Sequence, residues 1–563
     1  MTDLTLEPPR ARPHDAATMS QDGLRPPEMT GSGYALPVFP YRRPAELAGE
    51  RRRHKVAVVG GGLAGLTAAC DLASRGIAVV LLDEDDTVGV RGASSRGIVY
   101  AQKTLEIFDR LGIYQRIAEK GVIWSVGKVL ADDDVLYSFD ASQGSLSKAP
   151  PFINLQQFYI EWYLVDRLAE LPDAELRWRN RVTGITQRAD HVALAVETPD
   201  GAYTLEAEWV IDASGLASII RGTLGAKMAA EQGEDRWCIS DVRFKTSLPA
   251  ERWTWAKAAF NDGRAVWQHP MADGVWRLDY QMGPNADPKA IADPETVRDR
   301  LRRHLGETEI DIVWVGPYGY RTQLMEHFRL GRVFFAGDVA HVMNPFGARG
   351  GNSGVQDAEN IAWKLAAVLS GAAPEALLDS YDEERRAAGA HNIHVTTRTI
   401  RFLAPRSPFE HRFRDAVLDL ARRYDFGRAL VNTGRLSVAF DYAGSSLTSN
   451  GGSAVPNLPV TLPDGSIGAL SELLRGEGAM FLVLCFAGAE PPALPGRLAR
   501  SFACNAAIGS LPVLHGSALD RLGSAGDVLV IRPDQHLAAR LVRPPAAAVQ
   551  AAIDRALGKE RTR

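Results

Sequence analysis

A chain of 563 residues with 45% hydrophobic and 23% charged side chains has the make-up of a globular protein long enough for about three domains. Its formal charge of -4 supplies no basic field for nucleic acid, and no Lys/Arg block is long enough to suggest a membrane surface. The four cysteines, Cys70, Cys238, Cys485 and Cys504, form neither a C-x-x-C pair nor a metal-ligand spacing. No metal site is expected, and a reducing cytoplasm fits best. The first ten residues lack the basic and apolar regions of a signal peptide, and no apolar stretch is long enough to cross a bilayer.

Taken in chain order, residues 1–33 are rich in Pro, Asp, Thr and Ser and read as a disordered tail, because they bury too little apolar surface to offset their ordering entropy. Residues 34–44 carry aromatics and prolines suited to an extended path over the next domain. From Lys55 the pattern becomes βαβ: an apolar strand over 56–59, a glycine turn, a helix over 63–74 stopped by Gly76, and a strand over 77–82. That is the pattern of a dinucleotide-binding half-domain. The theme of a strand entering a glycine-bearing loop returns at 209–211 before Asp212-Ala213-Ser214-Gly215, and at 333–336 before Gly337-Asp338.

The nucleotide domain is therefore expected to be discontinuous, over 34–231 and 319–450. The intervening 232–318 contains alternating segments at 265–269 and 275–281 around a Met-Ala-Asp-Gly turn, a hairpin of a second, antiparallel sheet. Residues 451–563 form a third unit, with a turn at 462–465, an apolar strand over 480–486 and a strand pair over 528–541 around Arg532-Pro533-Asp534. The expected class is α/β: a Rossmann-like, three-layer, discontinuous domain with an inserted antiparallel-sheet substrate domain and a separate C-terminal domain.

The strongest local motif is Gly60-Gly61-Gly62-Leu63-Ala64-Gly65, a G-x-G-x-x-G string between a strand and a helix. Gly60 permits the tight turn, Gly62 lets backbone N–H groups approach a pyrophosphate at the positive helix end, and Gly65 lets helix and strand pack closely. Asp83 ends the second strand about 20 residues on, where a carboxylate accepts ribose hydroxyls.

The third glycine segment narrows the choice of dinucleotide. Gly337-Asp338 leads through His341 to Pro345-Phe346-Gly347-Ala348-Arg349-Gly350-Gly351-Asn352, and then to an amphipathic helix bearing Asp357, Ile361, Ala362 and Leu365. On these residues the sequence resembles the class A flavoprotein aromatic hydroxylases, in their 3-(3-hydroxyphenyl)propionate hydroxylase-like, phenol hydroxylase-related branch, over about 34–563. The resemblance implies FAD as cofactor, with Asp338 on the ribityl chain. It puts the loop from Pro345 to Asn352, including Gly350 and Gly351, along the isoalloxazine, its N–H groups facing the edge where negative charge builds on reduction. It further implies that Arg96, after Ser95, reaches the FAD phosphates and that Gln157 is a flavin-side glutamine. The family's middle motif is Asp-Gly followed by Ser-x-x-Arg; here Ser218-Ile219-Ile220-Arg221 is intact, the dipeptide is Ser214-Gly215, and Asp212 stands two residues earlier. That departure carries NADPH over less firmly than FAD and leaves NADH open.

For the substrate face, alternation puts Arg277, Asp279 and Gln281 on one side of the hairpin and Trp276, Leu278 and Tyr280 on the other. Arg277 matches a family arginine that faces the flavin, Trp267 and His269 are placed to look into the cavity, and a packing role is equally compatible with each. Arg277, His269 and Pro345 are the candidate catalytic residues. Trp253-Thr254-Trp255 resembles part of a flavin halogenase motif, but Ala256-Lys257-Ala258 follows and disfavours halogenation. The C-terminal unit resembles the thioredoxin-like domain of phenol hydroxylase relatives; it lacks C-x-x-C, so a structural or interface role is expected.

The implied reaction is hydroxylation of a small phenolic substrate, ortho to its hydroxyl, by NAD(P)H and dioxygen through a flavin C4a-hydroperoxide, in a cytoplasmic enzyme expected to dimerise. Two alternatives remain: an FAD-linked NAD(P)H-dependent reductase or dehydrogenase without oxygen insertion, and a non-catalytic FAD-binding protein.

Overall fold

The computed structural model describes residues 24–25, 34–89, 96–143, 145–306, 309–461, 467–475, 481–490, 492–494, 499–504 and 522–562. Nearly all of the expected tail, Ser95, the expected turn at 462–465 and Met480 lie outside the described residues. Of the tail, Leu24–Arg25 pairs with Leu36–Pro37.

The first sheet is parallel where it matters for the site. Strand Arg53–Val59 lies between Val79–Leu82 and Gly201–Asp212, both parallel to it, and Val333–Phe335 adds in parallel to the far side of Gly201–Asp212. Val56, Ala57, Val58, Val80 and Leu82 are fully buried, as strands covered on both faces require. Helix Leu63–Ser74 makes the crossover between the first two strands and packs against helices Gln157–Leu168 and Arg349–Leu369. The register sets Asp212 beside both Val59 and Phe335. Three strands thus end level, and the loops at Gly60, Ala213 and Gly337 emerge together at one carboxyl edge, the place where open α/β sheets bind ligands.

The second sheet has eight strands, running from His341–Val342 through Ile310–Met325, Met228–Phe244, Trp276–Gly283, Arg264–Pro270 and Arg252–Ala258 to Val126–Ala131 and Asp134–Asp140. The expected hairpin is its centre, with His269 opposite Arg277 and Trp267 opposite Asp279. The expected limits of 232–318 need correction at both ends. Strands Met228–Phe244 and Ile310–Met325 are long enough to run past them, and the hairpin Val126–Ala131/Asp134–Asp140, assigned by sequence to the nucleotide domain, pairs here, in parallel with Arg252–Ala258. Sequence distance hid this, because parallel pairing needs a distant crossover and leaves no local signal.

Residues 34–44 do run over the nucleotide domain. Tyr34, Leu36 and Phe39 are buried, Phe39 stacks on Trp178 with centroids 4.7 Å apart, and the Tyr34 hydroxyl donates to Asp241 of the second sheet. In the C-terminal unit Phe481–Phe486 pairs in parallel with Ala499–Cys504 and antiparallel with Asp527–Ile531, which pairs with Leu537–Val542; helix Ala546–Ala556 follows. Its Arg532–Asp534 turn is buried against the nucleotide domain: Arg532 Nη2 donates to Glu384 at 2.9 Å, and Trp363 Nε1 donates to Asp534 at 3.1 Å. Among the described residues no helix is long and apolar enough to cross a membrane.

Candidate active site

The glycine loop has the geometry its spacing demands. Gly60 adopts φ +107, and a Cβ there would meet the Ala213 carbonyl oxygen at 2.5 Å; one on Gly65 would lie 1.9 Å from the Gly60 oxygen. These two glycines are compelled by packing. Gly62 differs: it caps helix Leu63–Ser74 in an extended conformation, and a Cβ would meet nothing within 4 Å. Open space also lies over Gly215 and Gly350. Three loop backbones therefore border unfilled room at the positive end of the first helix, which fits an extended dinucleotide.

Asp83 is held as a loop organiser as well as a ribose candidate. It accepts from the Gly61 and Asp85 amides, and burial pushes its carboxyl up to about 6. Asp212 requires a correction. It is fully buried, with Oδ1 accepting from the Ser214 amide and hydroxyl at 3.0 and 2.6 Å and Oδ2 accepting from the Ser218 hydroxyl. Its carboxylate fixes the Ser214-Gly215 turn, since two serine hydroxyls and an amide take three of its roughly four lone-pair sites and no part of the residue is exposed. Arg221, from the intact half of the same motif, donates to the Val339 carbonyl at 3.0 Å and so ties the second loop to the third.

In the third loop, Gly337 has φ +71 with its amide donating to Asp357 at 3.0 Å. Asp357 also accepts from His341 Nε2 and Arg385 Nε, each at 2.6 Å. Burial alone would raise its carboxyl, but the charges of His341 and Arg385 outweigh it and hold the group at about 2. Asp338, next in chain, is exposed and has no hydrogen bond or ion pair among the described residues. An anchored glycine therefore presents an uncommitted carboxylate at the convergence of the three loops.

The residues expected on the flavin side are brought together by helices Gln157–Leu168 and, at its start, Arg349–Leu369. Gln157 accepts from the Gly97 amide at 3.1 Å and donates to Glu161 at 2.8 Å, so its amide bridges the Arg96 loop to the helix. Glu161, which sequence reasoning missed, is buried and accepts from Gly89 N at 2.9 Å; burial pushes its carboxyl up while the Arg96 charge draws it back. Its one signal was the i, i+4 spacing from Gln157. Asn352, expected to face the ring through the N–H groups of its loop, has its side chain committed elsewhere: it accepts from Ala101 N and donates to the Val99 and Ala348 carbonyls, stapling the helix start to strand Val99–Ala101. Only its main chain is left for a ligand. Pro345 is exposed ahead of the left-handed pair Gly347 and Ala348, and the first-turn amides of Arg349–Leu369 follow.

The same loop joins the two halves of the site. Phe346 packs on Trp267, Trp237 and Tyr320 of the second sheet, with ring centroids 5.0, 5.4 and 6.1 Å away. On that sheet face Arg277 Nε bonds Asp279 Oδ1 at 3.1 Å while Nη1 donates to the Arg96 carbonyl. His269 is buried with Nδ1 lacking a partner; burial and the charges of Arg252 and Arg277 push it well below the usual range, so the imidazole is neutral. The indole N–H groups of Trp237 and Trp267 are likewise buried and unpartnered among the described residues. Leu278 and Tyr280 point to the opposite face, where they pack with Val266 and Leu301. Cys485 is free and buried, its thiol pushed up to about 11.

Comparison with known proteins agrees with this geometry. A family model described as an FAD binding domain matches residues 53–396, more than half of the chain. A flavin-dependent monooxygenase of Mycobacteroides abscessus is 31% identical over 363 residues, covering 61% of this chain and 73% of its own. A 3-(3-hydroxy-phenyl)propionate/3-hydroxycinnamic acid hydroxylase of Mycolicibacterium smegmatis is 27% identical over 64% of each chain. Among solved structures, an anhydrotetracycline hydroxylase from Streptomyces rimosus superposes with a TM-score of 0.70 at 25% identity, over 90% of this chain and 99% of its own. The chain belongs to the FAD-binding family that the model describes. Within it, the protein is an FAD-dependent monooxygenase of the aromatic hydroxylase type, as the resemblance implied.

Proposed function

We propose that this enzyme hydroxylates a phenolic ring, ortho to its hydroxyl, with NAD(P)H as reductant and dioxygen as oxidant, in the cytoplasm. One observation carries the reading: Phe346, from the loop that opens the flavin-side helix, forms a wall with Trp237 and Trp267 of a sheet face on which both indole N–H groups and His269 Nδ1 are buried without partners among the described residues. The main chain at Gly60, Gly62, Leu63, Ala64 and Gly65, with Arg96, would hold the FAD pyrophosphate. Asp83 would take the adenosine ribose, Gly337 and Asp338 the ribityl chain, and Gly350 and Gly351 the ring edge. When bound, the flavin supplies hydride acceptance and activation of dioxygen.

The chain's own residues do the rest. His269, neutral with Nδ1 unpartnered among the described residues, would accept a hydrogen bond from the phenol hydroxyl and so orient the ring and enrich its ortho carbon in electrons. Arg277, clamped between Asp279 and the Arg96 carbonyl, sets the position of the flavin-side loop against the sheet. Helix Pro408–Arg423 places Val417, Leu418 and Ala421 in the same buried cluster as the aromatic wall, and that cluster would keep bulk water from the reacting atoms.

The test is turnover under labelled dioxygen with a panel of phenols, reading nicotinamide consumption and product mass. One labelled oxygen in a catechol-type product is expected. Label found only in peroxide or water, with an unoxygenated organic product, would overturn the reading in favour of an FAD-linked reductase.

A further inference from the structure

Arg252 is a buried cation without a counter-ion. It opens strand Arg252–Ala258, is 5% exposed, and its side chain makes no hydrogen bond or ion pair among the described residues; its Nε is fully enclosed and unpartnered. The carboxylates around it are already used. Glu251, its chain neighbour, binds Lys128 at 2.6 Å and accepts from Trp253 Nε1 at 2.8 Å. Asp279, whose charge reaches it, is bonded to Arg277. Burial lowers the guanidinium only to about 10, so it stays charged at neutral pH. A buried guanidinium left unpaired is a costly arrangement, retained where a ligand supplies the missing charge.

The register shows where that ligand sits. Trp253 pairs with Gln268, and the next residue, His269, pairs with Arg277. Arg252, His269 and Arg277 therefore form one row across three adjacent strands, on the face that carries Trp267 and Trp237. The Arg252 and Arg277 charges both act on His269, which places the three groups close together. One cation of the row is neutralised by Asp279 and the other is not.

We propose that Arg252 is the anchoring residue for an anionic oxygen group on the aromatic substrate, a carboxylate or a second, ionised hydroxyl, and that the enzyme selects acidic over neutral aromatics. The proposal rests on the hydroxylase reading for the position of the ring. It adds the substrate's charge class and the residue that reads it. The planar guanidinium fork suits a bidentate oxyanion, and the row sets that group one strand away from His269.

The test uses the FAD-loaded enzyme and reads ligand binding from perturbation of the flavin absorbance. The probes are 3-phenylpropionate against its amide, and 4-nitrophenol at a pH where it is ionised against phenol; the first pair reads a carboxylate source and the second a phenolate source. In the native enzyme at least one anion should bind roughly 10- to 100-fold tighter than its neutral partner, the range of a charge-assisted bond. Arg252→Met should abolish that preference while leaving the neutral probe within about threefold, and Arg252→Lys should restore part of it. Because an unpaired buried charge is removed, the unliganded Arg252→Met holoenzyme should also melt no lower than the native one.

Equal weakening of acid and amide in Arg252→Met, or no binding of either anion to the native enzyme, overturns the proposal. So does a lower melting temperature in Arg252→Met with the anion preference retained. Labelled oxygen entering neutral phenols with no anion preference would sink this inference alone. Anion preference without oxygen transfer would sink the hydroxylase reading alone.

Discussion

Gly62 and Gly65 stand three residues apart in one motif, yet the structure assigns them opposite costs. At Gly62 an added Cβ meets nothing within 4 Å and the backbone is extended, so Gly62→Val leaves the unliganded fold intact. The new side chain stands over the first-turn amides of Leu63–Ser74, the site proposed for the pyrophosphate. Each amide-to-phosphate bond contributes about 1.5–3 kcal/mol, so losing two costs about 4 kcal/mol and weakens FAD close to 1,000-fold. At Gly65 the Cβ would lie 1.9 Å from the Gly60 carbonyl oxygen, so Gly65→Ala must push helix and loop apart, destabilising the apoprotein by about 1–3 kcal/mol or more. The assay is flavin-to-protein ratio after gel filtration, together with melting of the flavin-stripped protein. Gly62→Val retaining full flavin, or melting lower than native without flavin, would refute the assignment of that open space to the cofactor.

Asp338→Ala should weaken FAD roughly 10- to 100-fold, the loss of one charge-assisted bond, with unchanged melting of the apoprotein because Asp338 has no partner to lose; equilibrium flavin titration checks it. Asp357→Asn leaves the buried Arg385 charge unbalanced and should cost about 3–5 kcal/mol, read from denaturant midpoints. The folded Asp357 carboxyl lies at about 2, below its ordinary value, so its contribution is fully present above pH 4 and lost as pH falls from about 4 to 2; native protein should lose stability in that window and Asp357→Asn less so. Arg277→Lys keeps the charge but loses the reach to the Arg96 carbonyl, and stopped-flow should show slower flavin reduction with FAD still bound; an unchanged rate would show that Arg277 does not position the flavin-side loop.

The cofactor half of the site was legible because its signals are local. A strand, a glycine turn and a helix are neighbours in sequence, and each glycine's role follows from its place in the turn: Gly60 and Gly65 are where backbone meets backbone. Even here, Asp212 was read as a cofactor residue and instead holds the turn of its own loop, while Asn352, read through the N–H groups of its loop, has its side chain tied to a neighbouring strand. A motif names a position, and whether a polar side chain there turns outward depends on competing partners. For Asp212 those were two nearby serines; for Asn352 they were the Val99 carbonyl and the Ala101 amide of a strand some 250 positions away, beyond any sequence window.

The substrate half resists sequence reading for a different reason. Alternation along Trp276–Gly283 sorted Arg277 from Leu278, because a strand's two faces are encoded two residues apart. No such rule tells which strand lies beside which. Arg252 precedes Trp253 and Trp255 in a segment that resembled a broken halogenase motif, and its meaning appears only once Arg252–Ala258 is paired with Arg264–Pro270 and, in parallel, with the remote Val126–Ala131. Pairing converts three separated residues, Arg252, His269 and Arg277, into one row with two cations and one nearby acid, Asp279. The charge imbalance is a property of that row and of no single strand. Chemistry that depends on register is therefore where relatives with similar FAD loops can diverge, since a substitution in one strand resets the charge of the whole row while leaving every cofactor motif untouched.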